Sequence, residues 1–98
     1  MYNVLMWKVL INKKSAKARD KLPVEVKSKF DLLLKELNVD GPYRKNWLNY
    51  SPLKNKKKLY HCHIKKGQPT YVVVWEILDK TIKIIGVQYV GTHEKAPY

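Results

Sequence analysis

Three things are scarce in this sequence: cysteine, acidic side chains and long apolar runs. Cys62 is the only cysteine, which excludes an intrachain disulfide and fits a reducing compartment. No stretch approaches the ~20 consecutive apolar residues of a membrane span. Residues 1–11 are too short and too often interrupted by polar residues for a secretory signal. We therefore expect a cytoplasmic protein with no membrane partner.

The shortage of acidic residues leaves a large positive charge. Eight Asp and Glu stand against twenty Lys and Arg, so the formal net charge is +12. Such an excess repels itself in a compact state and indicates a polyanionic partner. Nucleic acid is the leading candidate, ahead of an acidic protein and an anionic membrane. A hydrophobic fraction of 45% in 98 residues indicates a folded chain with one domain, residues 1–98.

The hydrophobic pattern predicts an α+β fold of the order β-α-α-β-β-β, in which an antiparallel sheet packs against a helical pair. Ser15 is a possible cap of the first helix. The predicted elements are a strand over 2–11, a short helix over 12–21, a helix from Pro23 to Gly41, a loop over 43–58, and strands over 59–65, 70–78 and 81–90.

Several apolar side chains are assigned to the core. In the second helix, residues at i, i+4, i+7, i+8 and i+11 form one stripe. The stripe consists of Val26, Phe30, Leu33, Leu34 and Leu37. Cys62 is expected to be a small inward-facing residue. Tyr71 and Trp75 are expected to share the core-facing side of a strand, and Trp47 and Tyr50 are expected to pack the long loop against the sheet.

The histidines are the most informative polar residues. Strand alternation sends His61, His63 and Lys65 to one face and places Cys62 on the other. His93 follows the last predicted strand, where the chain can fold back towards that face. Neutral imidazoles move protons near pH 7, and a positive surface concentrates phosphate. Together these features indicate chemistry on RNA.

Other assignments compete for the same residues. A His-x-His pair can bind a metal, but a thiol that faces away and the lack of a nearby third ligand argue against zinc. Glu76, on the strand face opposite Trp75, is an alternative general base. Glu94 either orients the His93 ring or is an exposed surface residue.

The segment Leu59–Ile77, Leu-Tyr-His-Cys-His-Ile-Lys-Lys-Gly-Gln-Pro-Thr-Tyr-Val-Val-Val-Trp-Glu-Ile, resembles the RelE/ParE superfamily of bacterial toxins. The terminal Gly-Thr-His-Glu at 91–94 is similar to RelE/HigB-like cytotoxic translational repressors. The resemblance implies a type II toxin that cleaves mRNA, often on the ribosome, and is silenced by an antitoxin with an acidic segment. It also implies an endoribonuclease that needs no metal or other cofactor and uses attack by the 2′-hydroxyl.

The resemblance places roles on particular positions. Several members have an arginine near the start of the third strand, where this chain has Thr70, Tyr71 and Val72. That cation is therefore either missing or supplied from elsewhere, by Lys65 or Lys66. This departure leaves open a slower nuclease, a different acid–base pairing or another target. The implied catalytic residues are His61, His63, Lys65, His93 and Tyr98, the last able to stack on a base. The expected RNA-binding residues are Lys54, Lys56, Lys57, Lys58 and Lys66.

Two further functions remain open at this point. A ParE-like inhibitor would bind DNA gyrase, and its histidines would be incidental. A non-catalytic RNA- or ribosome-binding module would use charge and aromatic side chains alone.

Overall fold

The computed structural model describes residues 6–54 and 58–98. In chain order the elements are β1 (Lys8–Ile11), α1 (Lys13–Asp20), α2 (Val24–Asp40), β2 (Leu48–Pro52), β3 (Leu59–Lys65), β4 (Tyr71–Asp79), β5 (Ile84–Thr92) and a 3₁₀ turn (His93–Lys95).

The two helices begin and end at residues that suit a terminus. Asn12 caps α1, because its side-chain oxygen accepts the Ser15 N–H at 2.8 Å. The expectation of a Ser15 cap is therefore wrong, and Ser15 lies buried inside the helix. At the end of α2, Gly41 has a φ of 94°, and a Cβ there would lie 3.0 Å from the indole nitrogen of Trp7. Glycine alone combines this backbone conformation with such a close approach.

Within residues 6–54 and 58–98, the sheet has five strands in the order β1-β5-β4-β3-β2. The expected α+β class is confirmed, but the sheet is mixed because β1 pairs parallel to β5 while the other pairs are antiparallel. Hairpins force antiparallel pairing of neighbours, whereas β1 meets a partner that lies far along the chain. The segment expected as a loop over 43–58 contains β2, whose register is shifted between Leu48 and Ser51 and whose Asn49 has a φ of 54°. Because of these irregularities, β2 lacks the regular alternation of polar and apolar residues that predicts a strand.

One face of the sheet carries the hydrophobic core. The predicted stripe of α2 packs there against side chains of β3, β4 and β5. Trp75 is fully buried, and its indole N–H donates to the Pro42 carbonyl at 3.0 Å. Cys62 is inward-facing as expected, and burial raises the pKa of its thiol to about 12. This thiol is therefore unreactive at neutral pH.

Within the part of the chain described, no helix combines the length and the apolar character needed to cross a bilayer.

Candidate active site

The face of the sheet opposite α2 carries two of the three histidines. His61 pairs with Val74 and His63 with Val72 across the β3–β4 ladder, while the intervening Cys62 is buried on the core face. The two imidazole centroids lie 5.8 Å apart. This is the arrangement that the alternation predicts.

The chain after β5 folds back over the same face. The His93 N–H donates to the Thr70 carbonyl at 2.8 Å, which fixes the start of the 3₁₀ turn beside β4. The ring of His93 lies 5.4 Å from that of His63, and the ring of Tyr98 lies 4.9 Å from that of His61. His61, His63, His93 and Tyr98 therefore form one group of rings, which we term the histidine cluster.

The surroundings of His61 and His63 favour neutral imidazoles. Burial is the largest cause that lowers the pKa of His61. The hydrogen bond that the ring donates to the Ser51 carbonyl opposes this shift, and the charge of His93 lowers the pKa further. Burial also lowers the pKa of His63, followed by the charges of His61, His93 and Lys66. Both rings can therefore accept a proton at neutral pH.

Hydrogen bonding distinguishes these two imidazoles. The Nδ1 atom of His61 lies 3.3 Å from both the hydroxyl and the carbonyl oxygen of Ser51 on β2. The Nδ1 atom of His63 is buried and has no hydrogen-bond partner among residues 6–54 and 58–98. Burial raises the pKa of the Tyr98 phenol, so this group stays protonated at neutral pH.

Lys65 does not share the histidine face, which corrects the sequence expectation. The β3–β4 register shifts between His63 and Lys65, and such a bulge reverses the alternation. Lys65 then reaches α2, where its ammonium lies 3.1 Å from the Glu25 carboxylate. Among the described residues, Lys66 is a lysine whose charge lowers the pKa of His63.

The other lysines assigned to RNA are only partly covered by the structure. Lys54 and Lys58 are exposed at either end of the β2–β3 connection. Lys56 and Lys57 lie outside the described residues. Trp47 and Tyr50 pack against the core cluster as expected, and the Trp47 indole N–H donates to Glu36 at 2.9 Å.

Several open pockets lie at or beside the histidine cluster. One of about 640 Å³ lies between the β3–β4 turn and His93 and includes Gln68 and Glu94. One of about 340 Å³ is lined by His63 and by residues of α2 and β2. One of about 300 Å³ lies beyond His61 and includes Glu76 and Pro97. The site is therefore an extended surface rather than a closed cavity.

Two supporting residues escaped the sequence reasoning. Ser51 was missed because β2 was taken for a loop. Tyr89 donates its hydroxyl to the Thr92 carbonyl at 2.8 Å, and a Cβ at Gly91 would lie 2.6 Å from that hydroxyl oxygen. A glycine inside a strand often marks such a close approach, so Gly91 was an available signal.

Among the residues that the structure describes, no three or more His, Cys, Asp or Glu side chains are arranged to hold a metal ion. Imidazoles without a metal-binding arrangement can still accept and donate protons.

The geometry can now be compared with known proteins. No protein-family model matches this sequence, and no curated protein matches it. Among solved structures, the archaeal RelE–RelB complex from Pyrococcus horikoshii OT3 is similar with a TM-score of 0.73 and 19% identity, over 94% of this chain and 100% of that one.

Two Escherichia coli structures are similar at the same level. A doubly substituted mutant of the toxin RelE in the free state has a TM-score of 0.72 and 17% identity, over 94% of this chain and 88% of that one. The intact RelBE toxin–antitoxin complex has a TM-score of 0.70 and 18% identity, over 91% of this chain and 99% of that one. The expected RelE/ParE-like fold is therefore confirmed.

Proposed function

We propose that this chain, which has the fold of the RelE toxins, is the single-domain toxin of a type II toxin–antitoxin system and cleaves mRNA without a metal. The observation that carries the proposal is the convergence of His61, His63 and His93 with Tyr98, at ring separations of 4.9 to 6.1 Å, in a chain of net charge +12. Cleavage of a phosphodiester needs a base, an acid and cations, and this surface supplies all three.

His61 is the proposed base. A carbonyl oxygen only accepts hydrogen bonds, so the contact with Ser51 places the ring proton on Nδ1 and leaves a lone pair on Nε2. Nε2 removes the proton of the ribose 2′-hydroxyl, and the 2′-oxygen attacks the adjacent phosphorus. The lowered pKa of His61 keeps this nitrogen available at neutral pH.

His93 is the proposed acid. It is exposed at the start of the 3₁₀ turn, 5.4 Å from His63 between ring centroids. Its imidazolium donates a proton to the 5′-oxygen as the phosphorus–oxygen bond breaks, which leaves a 2′,3′-cyclic phosphate and a 5′-hydroxyl. His63 lies next to both other imidazoles and positions the phosphate between them.

Positive charge and stacking hold the RNA. Lys66 is the proposed cation for the phosphorane oxygens, since Lys65 is engaged with Glu25. Tyr98 is 45% exposed and can stack on a base beside His61. Lys54 and Lys58, with Lys56 and Lys57 between them in the sequence, would contact the RNA backbone.

The proposed partners follow from the same charge. Two of the similar structures are complexes of a toxin with its antitoxin. An antitoxin with an acidic segment would neutralise the basic surface of this chain, and mRNA in the cytoplasm, on the ribosome, would be the target.

A cleavage assay in chelator tests this function. Purified protein is incubated with free mRNA in EDTA and, separately, with mRNA on translating ribosomes in Mg²⁺ buffer, and 5′ ends are mapped by primer extension. We expect cleavage in EDTA, and a loss of about 10²–10⁴-fold in rate for His61→Ala and for His93→Ala. Circular dichroism spectra of the variants should match the parent protein.

The other outcomes would select a different function. Cleavage that depends on an added divalent metal would contradict the metal-free mechanism. Intact RNA with blocked DNA supercoiling would indicate a gyrase inhibitor, and tight RNA binding without cleavage would indicate a binding module.

A further inference from the structure

The proposed mechanism leaves Glu76 without a role, although this residue lies on the same face of the sheet as the histidine cluster. Its side chain borders the pocket of about 300 Å³, which is of the size at which ligand pockets begin, roughly 300 Å³. The pocket is lined by Leu53, Leu59, Val74, Glu76, Gln88 and Pro97.

The polar part of this pocket has a defined orientation. The amide nitrogen of Gln88 lies 3.2 Å from a Glu76 carboxylate oxygen and 3.5 Å from the Gly86 carbonyl. Since both of those oxygens can only accept, the Gln88 nitrogen faces them and its amide oxygen is directed elsewhere. A Cβ at Gly86 would lie 3.2 Å from that nitrogen, so the glycine leaves room for the amide. The pocket therefore offers hydrogen-bond acceptors, the two oxygens of the Glu76 carboxylate, and the Gln88 amide holds one of them in place.

The remaining walls are apolar. Leu59 lies in β3 and Val74 in β4, Leu53 lies in the segment before β3, and Pro97 lies in the chain that returns over the sheet. A planar base with polar edges fits between apolar walls, since its faces lose water while its edge meets acceptors.

The pocket adjoins the histidine cluster directly. Val74 is the cross-strand partner of His61, and Leu59 precedes His61 by two residues, which puts all three on one face. Pro97 precedes Tyr98, whose ring lies 4.9 Å from His61. An RNA strand with its phosphate at His61 would therefore bring a neighbouring nucleotide to this pocket.

We propose that the Glu76–Gln88 pocket binds one unpaired guanine of the single-stranded RNA that crosses the histidine cluster. The inference rests on the proposed function for the identity of the polymer, and it adds a base-selective site. Guanine is the base whose Watson–Crick edge carries two adjacent N–H donors, which match two acceptors. Adenine and cytosine present one amino donor beside an acceptor, and uracil presents one donor between two carbonyls.

Binding of uncleavable oligonucleotides tests the site. Fluorescent 2′-O-methyl oligouridylates that carry a single G, A or C, or none, are titrated at one fixed salt concentration by anisotropy. The 2′-O-methyl group removes the nucleophile, so the result does not depend on catalysis. We expect the G-containing oligonucleotide to bind about tenfold more tightly than oligouridylate, as one good bidentate contact allows. In Glu76→Gln this preference should fall below about threefold while oligouridylate binds as before.

Two further variants make the result interpretable. Asp20→Asn removes the same charge from an exposed position on α1 and should keep the full preference for G. Gln88→Leu removes the amide that holds the Glu76 carboxylate in place and should also reduce the preference for G. This variant serves as the test if Glu76→Gln does not fold, as judged by circular dichroism.

The outcomes separate this inference from the proposed function. Equal binding of all four oligonucleotides by the parent protein, or a uniform change across them in Glu76→Gln, would overturn the guanine site even if mRNA is cleaved. Loss of cleavage on every substrate in Glu76→Gln, with binding preference intact, would make Glu76 a catalytic base instead. A preference for G in a protein that cleaves no RNA would support the site and contradict the nuclease.

Discussion

Alternate residues of β3 point to opposite faces of the sheet, and the two faces differ in burial and in chemistry. On the α2 side, Cys62 is fully buried and serves the core. On the other side, His61 and His63 are half-buried, with lowered pKa values and incomplete hydrogen bonding. The comparison shows how one strand can contribute stability through one face and proton chemistry through the other.

The open face is not simply a solvated surface. Val72 and Val74 are buried there although they lie outside the core cluster. The chain after β5 brings Tyr98 over His61 and partly covers this face. Burial is the first cause of both lowered histidine pKa values. The electrostatics of this half-buried face therefore differ from those of a solvated surface.

The largest expected effect is on the core face. Trp75→Ala should lower the free energy of unfolding by about 3–5 kcal/mol, because it removes a fully buried indole and leaves the Pro42 carbonyl unpaired. Urea denaturation followed by circular dichroism measures this change.

A substitution on the open face provides the contrast. His63→Leu removes a buried nitrogen that has no partner among the described residues, so stability should stay within about 1 kcal/mol of the parent or rise. Destabilisation comparable to that of Trp75→Ala would show that the open face is part of the core.

A smaller effect separates the two neighbouring lysines. Lys66→Ala should slow cleavage and raise the pKa of His63, since a positive charge that disfavours the imidazolium is removed. Titration of the His63 ring signals by NMR measures this rise. Lys65→Ala, which breaks the Glu25 ion pair, should leave both the cleavage rate and the pKa of His63 unchanged. Equal effects of the two substitutions would mean that the bulge does not separate their faces.

The smallest expected effect is a change of stability with pH. The pKa values of His61 and His63 lie below the ordinary 6.5, so the unfolded chain binds more protons as pH falls below about 6.5. The free energy of unfolding should therefore decrease from pH 6.5 towards the folded-state pKa values and be constant above pH 6.5. Denaturation between pH 5 and 7.5 measures this, and His61→Asn/His63→Asn should flatten the curve.

The acid range has to be kept separate from this measurement. Asp31, Glu25 and Glu36 have pKa values below their ordinary ones, so their contribution to stability is lost only as pH falls through the carboxylate range. A decline of equal size in the double histidine variant above pH 5 would assign the effect to other groups.

Local patterns predicted a large part of this molecule. The bounds of β3, 59–65, follow from its alternation, and the α2 stripe follows from helical spacing, because both are set by neighbours in the sequence. The common face of His61 and His63 follows from the same rule. The face on which Lys65 lies does not follow from this rule, because a bulge reverses the alternation after His63.

The sequence by itself determined the charge, the helical pair, the strands β3 to β5 and the outward direction of His61 and His63, since each depends on composition or on short-range periodicity. Only the tertiary structure decided that β1 runs parallel to β5, that β2 brings Ser51 to His61, and that His93 and Tyr98 close over the same face. Those arrangements join residues far apart in the chain, and packing rather than local preference fixes them.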